Sequence, residues 1–386
     1  MRRETGDGRR LEAAPVLDLL CALIARRSNT PDDAGCCELL ESRLAPLGFS
    51  FEYIDAGGVT NLWATLGSGA PLMILAGHTD VVPTGPLAQW TSDPFTPTVR
   101  DGLLYGRGAA DMKSGIAAMV CAVERVLAQG PVKGTLAFLI TSDEEGAARC
   151  GTRHVVDVLK ARGVVPDYAI VGEASSNETL GDRIVTGRRG SLGCNLRVIG
   201  KQGHVAYPHK ADNPVHRLAS AMAELVAIAW DTGNESFPPT SFQVSNFNGG
   251  TGANNVIPGE ATAVFNFRYC TESTADSLKA RVHAVLDRHC PQYEADWWLS
   301  GEPFLTRRGA LIEAAEAACL SVAGRKPDFF TGGGTSDARF IAPWGAQTVE
   351  IGPISDSIHK INEHVRIDDL EPLSAIYQSI LERLMR

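Results

Sequence analysis

The sequence predicts an α/β chain: a mixed sheet covered by helices, interrupted by a smaller inserted domain of ferredoxin-like β-α-β-β-α-β order. Three observations lead there. Apolar runs at residues 72–76, 138–141 and 168–171 each stop abruptly in polar groups of metal-ligand type, as buried strands of an α/β sheet do at their carboxyl ends. From about Arg188 to residue 299 the pattern changes to strand, helix, two strands, helix and strand. A helix near 311–323 and a strand near 348–351 then resume the first pattern in a piece too short to fold alone. The expected boundaries are 1–187 with 299–386 for the larger domain and 188–298 for the insertion.

Taken in order, residues 13–47 carry apolar positions at helical spacing, broken near 28–31, and predict two helices. Strand-like runs follow at 51–54 and 61–66, then the fully apolar 72–76, which leads into Gly77-His78-Thr79-Asp80. His78 and Asp80 lie two apart, on one side of an extended segment. A metal-bound imidazole usually gives its second N–H to a carboxylate, a part Asp80 can play, although an HxD pair alone is a common structural feature. The stretch 101–115 is glycine-rich up to Asp111, and strong helical periodicity over 112–129 follows. That makes Asp111 a candidate N-cap. The glycines match neither GxxxxGK[ST] nor GxGxxG, which argues against nucleotide binding.

The central run ends in Asp143-Glu144-Glu145-Gly146, and 168–171 ends in Gly172-Glu173. Consecutive glutamates in a turn project in different directions, so one can face a metal while the other faces a substrate. Any one of these motifs is explained by a solvated turn. Three strand ends with ligands, and Asp111 between them, are not. Past the last strand, His359 in the loop 357–363 supplies a second imidazole, while His364 reads as a surface residue.

Composition narrows the function classes. The 386 residues are 44% hydrophobic and 21% charged, enough for two domains with separate cores. A formal charge of −9 argues against a nucleic-acid surface. The basic start, MRRETGDGRR, leads into no apolar run of signal-peptide length, and no stretch reaches membrane-span length, so a cytoplasmic protein is expected. Nine cysteines without a CxxC pair read as buried and reduced rather than as a zinc knuckle.

His78, Asp111, Glu145, Glu173 and His359 together offer two imidazoles and three carboxylates. Nitrogen and oxygen donors without thiolate suit zinc, cobalt or manganese, and imidazole favours zinc. One ion cannot use five ligands and keep an open position; two ions sharing one carboxylate can. Three carboxylates, two divalent ions and a bridging hydroxide sum to zero, which lowers the cost of burying the cluster. Metal coordination brings the pKa of water to roughly 7. Glu144, beside a ligand but not needed as one, can take that water's proton and pass it to a leaving amine.

GHTDVVPTG, GRGAADMKSG, SDEEG, VGE and IHK occur in the order and spacing of the co-catalytic zinc amidohydrolases and peptidases that include aminoacylases, carboxypeptidases and acetylornithine deacetylases, and the chain resembles that family over nearly its whole length. The resemblance implies two zinc ions per subunit, with cobalt or manganese as substitutes. His78 and Glu173 would hold one ion, Glu145 and His359 the other, with Asp111 bridging, Asp80 orienting His78 and Glu144 as general acid and base. It also implies a cis peptide between Asp111 and Met112. WTSDPFTP, GRRGS, QGHVAYPH, NNVIP, GGTSDARF and SIHKINE resemble the members that act on a small N-succinylated amino acid. Arg188, Arg268, Gly334 and Thr335 would then grip carboxylates, with Ser191, Tyr207 and Asn254 as further contacts. Surface salt bridges are the bland role for the two arginines. Arg189 and Asn255 compete with their neighbours for the same places, and Ala174 stands where the family more often has proline. His204 resembles the histidine that reaches the opposite subunit's active site to steady the oxyanion, which would make the insertion a dimerisation domain and the protein a homodimer. The alternatives are another deacylase of the family, or a metal-binding relative without catalysis. Glu144 separates the last of these, since a binding module needs no general base.

Overall fold

The computed structural model describes residues 14–386; the basic amino-terminal decapeptide and the expected helix start at Ala13 lie outside the described residues. The chain forms two compact units, one of residues 14–186, 305–330 and 336–386, the other of Gly187–Phe304 with Thr331–Thr335.

The first unit is built on an eight-stranded mixed sheet in the order Ser50–Tyr53, Asn61–Gly67, Thr135–Thr141, Leu72–His78, Tyr168–Val171, Gln347–Glu350, Arg183–Val185, Asp328–Phe330. Its centre is parallel. Leu72–His78 runs beside Thr135–Thr141 with His78 opposite Thr141, and beside Tyr168–Val171 with Ala76 opposite Val171. The three apolar runs picked out from sequence are therefore adjacent, and parallel register brings their carboxyl ends to one edge of the sheet. Every residue of Leu72–His78 is buried, as expected of a strand covered on both faces. Helix Ser114–Ala128 packs against Pro15–Ile24 and against the carboxyl-terminal helix Leu370–Met385.

The second unit has a four-stranded antiparallel sheet in the order Ser241–Gly249, Glu260–Tyr269, Gly190–Ile199, Tyr293–Gly301. Numbered along the insertion this is 2-3-1-4, the ferredoxin-like order. Glu260–Tyr269 alternates buried and less buried residues along its length. The buried set, Phe265 and Phe267 among it, packs with Leu218 of helix Pro214–Ala227 and with Leu278 and Val282 of helix Ala275–His289. Asn213 caps the first of these helices by accepting from Val215 N–H, and Thr274 with Ser277 forms a capping box on the second.

Several elements differ from expectation. The helix foreseen from Met112 begins at Ser114, after an irregular turn, Ala109–Lys113. A small sheet of Thr98–Arg100, Leu103–Tyr105 and His364–Arg366 was not foreseen, because three-residue strands carry too little period to read. His364 is consequently half-buried, its ring 5.1 Å from that of Tyr105, rather than a surface residue.

One glycine governs how closely the sheet meets the helix that follows Asp111. A Cβ on Gly115 would stand 2.1 Å from the Gly172 carbonyl oxygen, at the end of the strand that leads to Glu173. In an open helix alanine is favoured over glycine by about 1 kcal/mol. Here the backbone contact reverses the sign. Gly115→Ala is expected to destabilise by about 1–3 kcal/mol or more, read as a lower urea midpoint; a midpoint equal to or above wild type would contradict the close approach.

Candidate metal centre

The ends of the three parallel strands carry His78, Glu145 and Glu173, and the turn Ala109–Lys113 and the loop that holds His359 bring Asp111 and His359 to them, all in the first unit. His78 closes its strand and is buried. Its Nδ1 lies 2.9 Å from the Asp80 carbonyl oxygen and 3.5 Å from Asp80 Oδ1, which leaves Nε2 for other partners. Nε2 stands 3.1 Å from Asp111 Oδ1 and 3.5 Å from Glu173 Oε1. On the other side, His359 Nε2 is 3.2 Å from Asp111 Oδ2 and 2.9 Å from Glu145 Oε1. Each oxygen of Asp111 thus faces a different imidazole, the disposition of a carboxylate shared between two centres.

Local backbone explains how these side chains converge. Asp111 is not an N-cap: no side chain caps helix Ser114–Ala128, and Asp111 lies in the preceding turn at φ −121°, ψ 97°, with a cis peptide to Met112. The Asp80 carboxylate accepts from Glu144 N–H at 3.3 Å and Glu145 N–H at 3.1 Å. Asp143 accepts from Arg149 and Cys150 N–H and closes the same loop from the other end. Two of the acids in this region therefore hold backbone, and the two glutamates between them are splayed apart. Glu145 turns to His359, whereas Glu144 groups with His78 and Glu173. His359 sits in the left-handed region at φ 59°, as does Asn362, whose side chain accepts from Thr91 N–H.

Electrostatics follows from crowding acids out of water. Burial and the Asp111 charge push Glu173 up to about 8. Burial opposes a charged His78, but Asp111, Asp80 and Glu173 outweigh it and hold the ring well above the ordinary histidine range. Asp111 and Glu145 raise His359 to about 10. Burial would raise Asp111 as well, yet the two imidazoles hold its carboxyl below the usual range. Charged imidazoles wedged between carboxylates mark where positive charge is wanted. Divalent ions supply it with the same donor atoms, in a set free of thiolate. The residues present fit such ions.

Glu144 stands apart. Burial, with Asp337 and Glu173 nearby, pushes its carboxyl well above the usual range against the pull of His78 and Arg339. Arg339 Nη1 lies 3.6 Å from Glu144 Oε1, and buried Asp337 accepts from Thr152 Oγ at 2.6 Å. Sequence reading passed over Arg339 and Asp337. Both lie within GGTSDARF, but nothing in that motif says that its second half faces Glu144.

The remaining expected residues belong to the second unit. Buried Arg188 donates through Nη1 to the carbonyls of Gly332 and Gly334, at 2.9 and 3.3 Å, so the glycine loop that leads to Thr335 is tied to it. Ser191 pairs in register with Arg268 on the neighbouring strand. His204, Tyr207 and Asn254 form an exposed group: His204 and Tyr207 have ring centroids 5.8 Å apart, and Val205 N–H bonds the carbonyl of Asn255, next to Asn254. Eight of the nine cysteines are buried and Cys150 is half-buried. Among the described residues no helix is long and apolar enough to cross a membrane.

Residues 74–383 match the model of Peptidase family M20/M25/M40, and the chain belongs to that family. It is 59% identical over 376 residues to a protein of Azoarcus sp. (strain BH72) called succinyl-diaminopimelate desuccinylase, covering 97% of this chain and 99% of that one. A protein of the same name from Thioalkalivibrio sulfidiphilus (strain HL-EbGR7) is 60% identical over 371 residues, 96% and 99% of the two chains. Among solved structures, an M20 family metallo-carboxypeptidase of Sulfolobus solfataricus superimposes with a TM-score of 0.80 at 19% identity, over 96% of this chain and 98% of that one, so the fold is shared far beyond close relatives.

Zinc titrated into chelator-treated protein is expected to raise its thermal midpoint, by the equivalent of about 2.7 kcal/mol at a hundredfold excess over the dissociation constant. Asp111→Ala, which removes the carboxylate facing both imidazoles, is expected to lose most of that rise. A wild-type midpoint indifferent to zinc, cobalt and manganese would contradict a metal centre here.

Proposed function

We propose that this M20-family chain is a metal-dependent amide hydrolase that cleaves N-succinyl-LL-2,6-diaminopimelate to succinate and LL-2,6-diaminopimelate, a step of lysine and diaminopimelate biosynthesis in the cytoplasm. The observation that carries the reading is the convergence of His78, Asp111, Glu145, Glu173 and His359, with half-buried Glu144 beside His78 and Glu173, in a chain about 60% identical end to end to proteins bearing the desuccinylase name.

His78 and Glu173 would hold one ion, Glu145 and His359 the other, and Asp111 both; zinc suits this mixture of imidazole and carboxylate. When bound, such ions polarise the scissile carbonyl and make water a nucleophile near neutral pH. Asp80 aims His78 through its own carbonyl and, through its carboxylate, keeps Glu144 and Glu145 pointing apart. Glu144 accepts the proton of the attacking water and gives it to the leaving amine. A carboxyl whose burial favours the neutral form, with Arg339 close enough to restrain that tendency, is suited to hold a proton and release it within one turnover.

The substrate brings a succinyl carboxylate and the amino and carboxyl groups of diaminopimelate. Arg188, Arg268 and Ser191, with Gly334 and Thr335 on the loop tied to Arg188, have the charge and donors for carboxylates. Tyr207 and Asn254 add polar contacts. In a homodimer built through the second unit, His204 of one subunit would donate to the oxyanion in the other. Support comes from its tautomer: Nδ1 accepts from Ala206 N–H at 3.1 Å, which in the neutral ring leaves the proton on Nε2, free to donate.

Glu144→Gln is expected to bind metal as wild type does while turnover falls by several orders of magnitude; near-normal turnover with verified metal content would remove Glu144 from the role. Substrate class is tested by restoring zinc to stripped protein and following succinate release from N-succinyl-LL-2,6-diaminopimelate, with N-acetylornithine in parallel. Hydrolysis of the succinylated compound alone is expected. Hydrolysis of the acetylated one instead would move the chain to a sibling deacylase.

A further inference from the structure

The mechanism above makes no use of a carboxylate that is among the most completely bonded in the chain. Glu363 is 1% exposed, beside Arg107 at 2%. Its Oε1 accepts from Ala110 N–H at 2.9 Å and Asp111 N–H at 3.0 Å; its Oε2 accepts from Gly108 N–H at 3.0 Å and Arg107 Nη1 at 2.8 Å. An ionised carboxylate has about four lone-pair positions, and here each meets a donor. The Glu363 carbonyl accepts a further N–H from Gly106. Arg107 Nη1 also donates to the Lys360 carbonyl at 3.2 Å, so the same guanidinium grips the loop at two points on either side of Asn362.

These bonds join two segments more than 240 residues apart in sequence, and each carries a ligand of the candidate centre. One is the irregular turn that presents Asp111; the other holds His359 in a left-handed conformation that a non-glycine residue rarely adopts unless its surroundings impose it. Neither segment is regular secondary structure, so neither ladder bonds nor a helix register fixes it. Glu363 belongs to the His359 loop and is bonded to the very N–H of Asp111.

We propose that Glu363, locked by Arg107, is a positioning residue of the metal centre: it sets Asp111 and His359 at the separation needed to share an ion, without touching metal or substrate. The inference rests on the metal reading above. Glutamine cannot replace it, because an amide offers one acceptor oxygen and turns N–H groups toward two of the donors that the carboxylate satisfies.

The test is zinc binding by calorimetry to the stripped full-length protein, with cobalt absorption spectra as a report on ligand geometry. Wild type is expected to take two ions. Glu363→Gln is expected to weaken at least one binding event by roughly 10–100-fold, the range typical of groups that orient ligands, and to change the cobalt spectrum. Glu363→Gln with Arg107→Met, which removes the buried charge the single change leaves unpaired, is the variant to read if the single one does not fold, and the same weakening is expected. Folded variants with wild-type zinc affinity and an unaltered cobalt spectrum would overturn the role of Glu363. A wild type that takes no ion would instead bring down the metal reading, and this inference with it.

Discussion

Carboxylates cannot be gathered out of water unless each finds positive charge or N–H donors, since an unpaired buried ion costs several kcal/mol even after relaxation. Much of the local structure around the sheet edge answers that constraint. His78, Asp80, Asp111 and Glu173 are all nearly sealed from solvent. Parallel pairing brings His78, Asp80 and Glu173 together, since three neighbouring strands of the same sense end at the same level, while Asp111 comes from the irregular turn Ala109–Lys113.

The acids divide into those that hold backbone and those that face imidazole. Asp80, Asp143 and Glu363 each accept from two or more main-chain N–H groups, and by doing so they shape the turns that carry Glu144, Glu145 and Asp111. Asp111, Glu145 and Glu173 point at His78 and His359. Such a division has a simple rationale. Glu363, with a donor on each lone-pair position, has none left for a metal and so cannot compete with the acids that face imidazole for ions.

How far this was legible in sequence depended on the length over which a signal repeats. The apolar strands, the helices and the split β-α-β-β-α-β order each repeat a period several times and were found within a few residues. Asp111 reads from sequence both as a candidate N-cap and as a bridging ligand, because sequence cannot show that the helix begins three residues later and that the turn before it is irregular. Glu363 and Arg107 were invisible for a different reason. Each lies inside a quoted motif, but their meaning is a contact between two motifs, and no period or spacing within either encodes it. Arg339 beside Glu144 is the same case. The carboxyl-terminal helix Leu370–Met385 was simply passed over, although its buried positions Leu373, Ile376, Tyr377, Ile380 and Leu381 have plain helical spacing.

The residues proposed for chemistry and those proposed for substrate recognition lie in different units of the chain. The five metal-type ligands and Glu144 belong to the first unit, while the arginines, Ser191, Thr335, Tyr207, Asn254 and His204 belong to the second. The first group sits on strand ends and tightly bonded turns, whereas the second includes strand residues and a glycine loop bonded to the Arg188 guanidinium. The bonds of Arg188 to the carbonyls of Gly332 and Gly334 tie loop shape to one side chain, so a change there would alter the loop as well as the local charge.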